Sequence, residues 1–282
     1  MGSLLNRFRP LLVLGRISNL PTVWSNCLAA WVLAGGRAWA QLAVACLGGT
    51  LLYTGGMFLN DAFDVEFDRR FRPERPIVSG QVSLTVVWAA GTALLVLGEI
   101  CFCRLGKSAC AFGLGLGATI LLYDAVHKKT NLAPLLMAGC RFLLYMAAAS
   151  AAAPAAMPKV WLHAGVLGAY IVGLSYIARR ESTSAHPVTW PVPLVFLPVF
   201  ISVADGPLPD WFGWARALGA GLWVSWSVYS LGRVVPGALP RGVAGLLAGI
   251  ALLDWLAASA HSPIAGLICV GLFLLALLLQ RV

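Results

Sequence analysis

The sequence predicts an all-α protein, a polytopic bundle of transmembrane helices, on three observations. Of the 282 residues, 60% are hydrophobic and only 11% charged, and mean hydropathy is +0.83. A soluble domain of this size could not cover such a composition with polar surface. Apolar stretches of about 20 residues recur from end to end, each able to cross a hydrocarbon core roughly 30 Å thick. The basic residues, finally, are distributed as a multi-span topology requires.

Taken in order, span 1 (13–34) follows Arg7 and Arg9 and carries Arg16 and Asn19 near its start. It is long and the next span follows closely, which reads as an uncleaved helix rather than a signal peptide. Span 2 (39–60) runs into a cluster of acids. Spans 3 (82–103) and 4 (108–123) are divided by Arg104 and Lys107, and span 5 (132–153) follows the basic loop with Lys128 and Lys129. Span 6 (160–179) ends at Arg179 and Arg180. The last four spans (189–204, 212–231, 241–260 and 263–280) have the softest boundaries. Ten helices are expected, or nine if one late segment is interfacial, and residues 1–282 read as a single membrane domain.

With the N-terminus inside, 14 of the 20 basic residues fall in cytoplasmic segments, and Arg141 lies within span 5. The net charge of +9 is then topology plus attraction to anionic lipid headgroups, and no nucleic-acid partner is needed. The seven cysteines sit in apolar context without a CxxC pair, and Cys101 and Cys103 point to different helix faces. Structural small hydrophobes are expected there, not disulfides or metal ligands.

Charge is dense in one stretch, NDAFDVEFDRRFRPERPIVSG, residues 60–80. At about 100° per residue, Asn60, Asp61, Asp64 and Asp68 share one helical face, while Glu66 points elsewhere. Three carboxylates on one face at the membrane edge repel one another unless cations neutralise them. All-oxygen donors suit Mg²⁺, which takes one or two carboxylates plus substrate phosphates. A ladder of ion pairs with the neighbouring arginines is the simpler alternative. Pro73, Pro76 and Gly80 stiffen the arginine-rich loop that follows. Such a loop beside a carboxylate site can clamp diphosphate oxygens.

These residues resemble a known family. Asn60-Asp61-x-x-Asp64-x-x-x-Asp68, followed by RPIVSG at 75–80, looks like the first aspartate-rich motif and loop of the UbiA superfamily of intramembrane prenyltransferases. RISNLPTVWSN at 16–26 and the basic loop from Tyr123 also resemble it. The resemblance implies a helical bundle around a central, lipid-accessible cavity. It further implies transfer of an isoprenyl group from an isoprenyl diphosphate to a lipophilic or aromatic acceptor, with Mg²⁺. Asp61, Asp64 and Asp68 would serve catalysis, and together with Asn60 and Glu181 would hold the metal. Arg16, Asn19, Asn60, Arg75, Lys128, Lys129, Arg141, Tyr176, Arg179 and Arg180 would contact substrate. Tyr53, Phe58, Phe142, Tyr145, Tyr170 and Tyr176 are the aromatic candidates for facing an allylic cation.

One departure matters. The family's second motif reads Asp-x-x-Tyr-x-x-x-Asp, whereas this chain has GLSYIARR at 173–180, with Glu181 one step beyond. Either Arg179 or Arg180 takes over as a fixed cation, or the protein is a non-catalytic relative, as in the EboC-like branch, that binds or translocates a lipophilic intermediate. The CDP-alcohol phosphotransferases share the aspartate spacing, but their upstream Asp-Gly-x-x-Ala-Arg is absent.

Overall fold

A computed structural model describes residues 9–152, 158–179, 191–204, 211–232 and 239–280, and no strand occurs among them. A short helix α1 (9–14) and a 3-10 turn, Ile17–Asn19, lead into α2 (Leu20–Leu33), α3 (Trp39–Phe63) and the brief α4 (Val65–Phe71). Helices α5 (Leu84–Arg104), α6 (Lys107–Val126), α7 (Ala133–Ala152) and α8 (Pro158–Arg179) follow. The chain then forms α9 (Val192–Ala204), α10 (Trp211–Gly232), α11 (Leu239–Ser259) and α12 (Pro263–Leu279). Each of the ten apolar stretches falls on one of these helices. Among the described residues, six helices are long and apolar enough to cross a membrane, in α3, α5, α6, α7, α8 and α11.

Apolar side chains all round a helix predict that it is enclosed, and α2 is. It packs against α3, α7, α8, α11 and α12, and only Trp24 and Val32 of its residues escape full burial. By contrast, α5 turns Val86, Val96, Leu97 and Ile100 outward, as expected of a helix facing lipid tails. Its inner face lies close to α3. A Cβ on Gly55 would come within 2.8 Å of the Gly91 carbonyl oxygen and 3.0 Å of Leu95 N. Glycine is what lets these two backbones approach.

Span 1 is shorter than its hydropathy suggests because the chain breaks at Arg16. This non-glycine residue takes a left-handed conformation (φ 43°, ψ 49°), which costs about 1–2 kcal/mol relative to the right-handed region. The break separates α1 from α2 and sends the Arg16 side chain toward the end of α3.

The cysteine expectation needs a correction. Cys103 at the end of α5 and Cys110 in the first turns of α6 are paired as a disulfide. Cys101 and Cys103 do diverge, as expected for neighbours two apart on a helix. The pairing arises instead across the tight turn at Leu105 and Gly106, which brings the next helix back alongside.

Candidate functional site

The acidic face is built by a helix that barely stops. Asp64 ends α3 and precedes α4, yet the backbone bonds from Asp64 N to Asn60 O (3.0 Å), Asp68 N to Asp64 O (2.9 Å) and Arg72 N to Asp68 O (2.8 Å) continue the i→i−4 ladder. Asn60, Asp61, Asp64 and Asp68 therefore keep one face, and Glu66 points away to pair with Arg69 at the surface, a contact of little energetic weight. The face is turned inward. Asp61 and Asp68 are each only 3% exposed.

Burying carboxylates is costly unless they are paired, and two of the three find cations from different parts of the chain. Asp61 accepts from Arg75 Nη1 at 3.2 Å and lies 3.8 Å from Arg16 Nη2. The loop sequence explains the first contact. Pro76 is buried, its carbonyl receives Gln81 N (3.0 Å) and Val82 N (3.2 Å), and Ser79 bonds back to the Arg75 carbonyl through both N and Oγ (2.9 Å each). Gly80, at φ 75°, closes that turn in the left-handed region. Ile77 packs on the small core of Leu14, Phe58, Ala62 and Val87. The loop is thus fastened on both sides of Arg75 and presents it to Asp61.

Asp64 is engaged from the turn that follows α6. Lys128 Nζ lies 2.7 Å from Asp64 Oδ1 and 3.7 Å from the centre of the Phe67 ring. His127 Nε2 lies 3.5 Å from Asp64 Oδ2, and its ring stacks on Tyr123. Burial alone would raise the Asp64 carboxyl, but the hydrogen bonds from His127 and Lys128 hold it below the ordinary carboxylate range. The resulting stabilisation is complete above that range and is lost as pH falls through the lowered value. Lys129 is exposed, and Lys128 makes the ion pair. Asp68 is different. Its Oδ1 is buried without a hydrogen-bond partner among the described residues.

Below this face opens a cavity of about 410 Å³. Arg16, Asn19, Tyr123, Asp124 and His127 line its mouth, and apolar side chains of α2, α3, α6, α7, α8 and α11 form its walls. Tyr53 is on the wall, whereas Tyr145 and Tyr170 are buried in the core, Phe58 sits in the small core and Phe142 contacts Trp161. Arg141 reaches the cavity some 12 Å further in, counting eight residues from the start of α7. Its Nη1 donates to Asn26 Oδ1 (2.8 Å) and Thr22 O (3.2 Å), its Nη2 to Thr22 Oγ1 (2.9 Å). Asn26 Nδ2 in turn donates to Asp254 (2.7 Å), which also accepts from Ser25 Oγ (2.5 Å).

On α8 the cavity meets Ile171, Leu174, Ser175 and Ala178, none of them acidic. The Tyr176 hydroxyl leaves the cavity and bonds the Asn131 carbonyl (3.1 Å), tying α8 to the α6–α7 loop. The side chain of Arg179, with Arg180 and Glu181, lies outside the described residues. Of the predicted residues, Arg16, Asn19 and Arg141 line the cavity itself. Asn60, Asp61 and Asp64 stand behind its mouth, joined to the lining residues Asp124, Arg16 and His127, and Arg75 and Lys128 pair with Asp61 and Asp64.

Two residues there are not among the candidates that the sequence offers for the site. Asp124 is 4% exposed and accepts from Asn60 Nδ2 through Oδ1 (3.0 Å). The other is His127, whose Nε2 lies 3.5 Å from Asp64 Oδ2. The missed signal is the run Tyr123, Asp124, His127, Lys128, whose i,i+4 spacing puts it on one helical face.

Whether a divalent cation suits these residues can be judged from the donors. They are all oxygen, and two carboxylates, Asp68 and Asp124, hold buried oxygens without hydrogen-bond partners among the described residues, which favours a hard cation. No group of three His, Cys, Asp or Glu among the described residues is already gathered as a complete cage. Mg²⁺ does not need one, since substrate phosphates supply part of its coordination.

The model of the UbiA prenyltransferase family matches residues 18–281. Among characterised relatives, the chain is 29% identical over 150 residues to 4-hydroxybenzoate octaprenyltransferase of Paracidovorax citrulli, covering 51% of this chain and 50% of that one. It is 32% identical over 126 residues to digeranylgeranylglyceryl phosphate synthase of Ignicoccus hospitalis, covering 45% and 41%. The chain spans about half the length of the curated relatives it matches. Among solved structures, a UbiA homolog from Aeropyrum pernix aligns with a TM-score of 0.63 at 18% identity, over 82% of this chain and 94% of that one. A UbiA homolog from Archaeoglobus fulgidus bound to GPP and Mg²⁺ aligns at 0.55 and 14% identity, over 97% and 100%. At those identities the likeness is one of fold.

Proposed function

Since this chain belongs to the UbiA prenyltransferase family, we propose that it transfers an isoprenyl group from an isoprenyl diphosphate to a lipophilic or aromatic acceptor inside the membrane. One observation carries the reading: a cluster of acids and fixed cations adjoins the polar mouth of a largely apolar cavity, linked to it through Arg16, His127 and Asp124. A diphosphate needs the polar end and its prenyl tail needs the apolar one. Mg²⁺, when held by Asn60, Asp61, Asp64 and Asp68, supplies charge neutralisation for the leaving diphosphate.

The protein's own groups then have definable tasks. Arg16, Arg75 and Lys128 offer N–H donors to phosphate oxygens, strongest where the acceptor is charged. The apolar walls exclude water that would otherwise quench an allylic cation, and Tyr53 presents the aromatic ring of that wall. As the C–O bond to diphosphate breaks, a nucleophilic atom of the acceptor bonds the allylic carbon, and the acceptor's proton passes to the departing diphosphate. Arg141 has two of its five donors uncommitted among the described residues, enough to orient an oxygen of the acceptor.

The test uses purified protein with geranyl, farnesyl and geranylgeranyl diphosphates and Mg²⁺, reading pyrophosphate release beside mass spectrometry of bound and product lipids. Release with at least one donor is the expected result. Silence with every donor, together with a co-purified lipophile, would instead establish the carrier reading, which the acid-free cavity face of α8 favours.

The same reading puts the N-terminus and the acidic face in the cytoplasm. Basic loops support it, and so does the Cys103–Cys110 disulfide at the opposite end of the bundle, since disulfides persist in oxidising compartments. After mild reduction of intact cells, a membrane-impermeant maleimide should label the wild type and not a Cys103→Ser/Cys110→Ser variant. Labelling confined to inverted vesicles would reverse the orientation.

A further inference from the structure

We propose that Asp124 supplies the acidic ligand missing from α8, forming with Asn60 a second contact for a divalent cation bound to diphosphate. The inference rests on the prenyl-diphosphate reading and goes beyond the acids of α3 and α4.

Its starting point is a buried oxygen. Asp124 is 96% buried, and while its Oδ1 receives Asn60 Nδ2 at 3.0 Å, its Oδ2 has no partner among the described residues. An unsatisfied buried carboxylate oxygen costs free energy and calls for a ligand, a proton or a bound ion. The residue lines the cavity mouth, so such a ligand has a route in.

Neighbouring cations do not fill that role. Lys128 is committed to Asp64, and Arg75 to Asp61. Arg16, on the same cavity wall, also approaches Asp61. Four acids (Asp61, Asp64, Asp68 and Asp124) thus stand against three permanent cations in this region, before any diphosphate arrives. A diphosphate adds further negative charge, which a divalent cation offsets alongside Arg16, Arg75 and Lys128.

Asn60 makes the arrangement specific. Its amide nitrogen donates to Asp124, which leaves its carbonyl oxygen as an acceptor or ligand. An amide oxygen and a carboxylate oxygen from two helices, completed by phosphate oxygens, form a donor set that Mg²⁺ accepts. The opposing wall offers nothing equivalent: Leu174, Ser175 and Ala178 of α8 carry no charge.

The experiment uses Mn²⁺ as a paramagnetic stand-in for Mg²⁺, a non-cleavable farnesyl thiodiphosphate, and the full-length protein in detergent. Mn²⁺ affinity is read by electron paramagnetic resonance for the wild type and Asp124→Asn, which keeps the hydrogen bond from Asn60 and removes the charge. We expect affinity to fall at least tenfold. Asp124→Ser, smaller and uncharged, carries the same expectation should the asparagine variant not fold. Wild-type Mn²⁺ affinity in these variants would overturn the role of Asp124 and leave the transferase reading standing. A wild type that binds neither Mn²⁺ nor the analogue would overturn both.

Discussion

Replacing Asp64 with asparagine should lower Mg²⁺-dependent pyrophosphate release on the order of a hundred- to a thousandfold, the loss typical of removing one preorganised charge-stabilising group. The substitution keeps size and shape, so the expectation isolates charge. Asp64 makes the shortest ion pair of the aspartates on this face, holding Lys128 at 2.7 Å, with His127 at 3.5 Å. Removing its charge takes away a metal ligand and also frees Lys128, whose remaining partner is the face of Phe67. The fold should tolerate this. Asp64 sits where α3 passes into α4, the backbone ladder through it does not depend on its side chain, and Lys128 can turn to solvent. Unfolding temperature should therefore move little while turnover collapses. Full turnover by the asparagine variant, or turnover by the wild type without divalent cation, would remove Asp64 from the proposed mechanism.

How much of this was visible beforehand depends on the range of the interaction. Apolar length alone located ten helices, because a span must be long and apolar wherever its neighbours lie. The acidic face was legible for a similar reason: Asn60, Asp61, Asp64 and Asp68 are related by helical period, and the ladder continues through Asp64 almost unbroken. Contacts made by folding were not legible. Arg141 could be flagged as a lone guanidinium in a span, but Asn26 is 115 residues away from it, and Asn26 and Asp254 are 228 apart. Asp254 has only apolar neighbours in the sequence, which names none of its partners. Asp124 was hidden by a boundary, because ending span 4 at Tyr123 turned a helical face into loop sequence. The left-handed Arg16 could not be read from the sequence, since the glycine beside it, Gly15, is not the residue that takes that conformation. The Cys103–Cys110 bond needed the turn between two helices to be known, and each cysteine viewed within its own helix looked inert.

The network around Asp254 makes the second large prediction, this time for stability. Asp254 is 1% exposed and takes hydrogen bonds from Ser25 and Asn26 on α2. Asn26 is the bridge, since its carbonyl receives Arg141 from α7 while its amide serves Asp254 from α11. Three helices are therefore joined by one amide, with a cation at one end and a carboxylate at the other. Asp254→Leu should destabilise the protein by about 3–5 kcal/mol, because it strands Arg141 without its counter-charge in apolar surroundings and leaves the Asn26 amide without its acceptor, while Ser25 keeps the Thr22 carbonyl. Arg141→Met should be damaging by the same logic, stranding Asp254. The double variant carries the decisive expectation. With both charges gone, no uncompensated ion remains, so its loss should fall well below the sum of the two single losses. Unfolding of the four proteins in one detergent, by denaturant or heat, measures this directly. Additive losses would mean that Arg141 and Asp254 act independently, with Asn26 a neighbour of both and a link between neither. A strongly non-additive cycle would mean that the guanidinium facing the cavity is positioned from α11, and substitutions at Asp254 should then also alter acceptor binding without touching the diphosphate end.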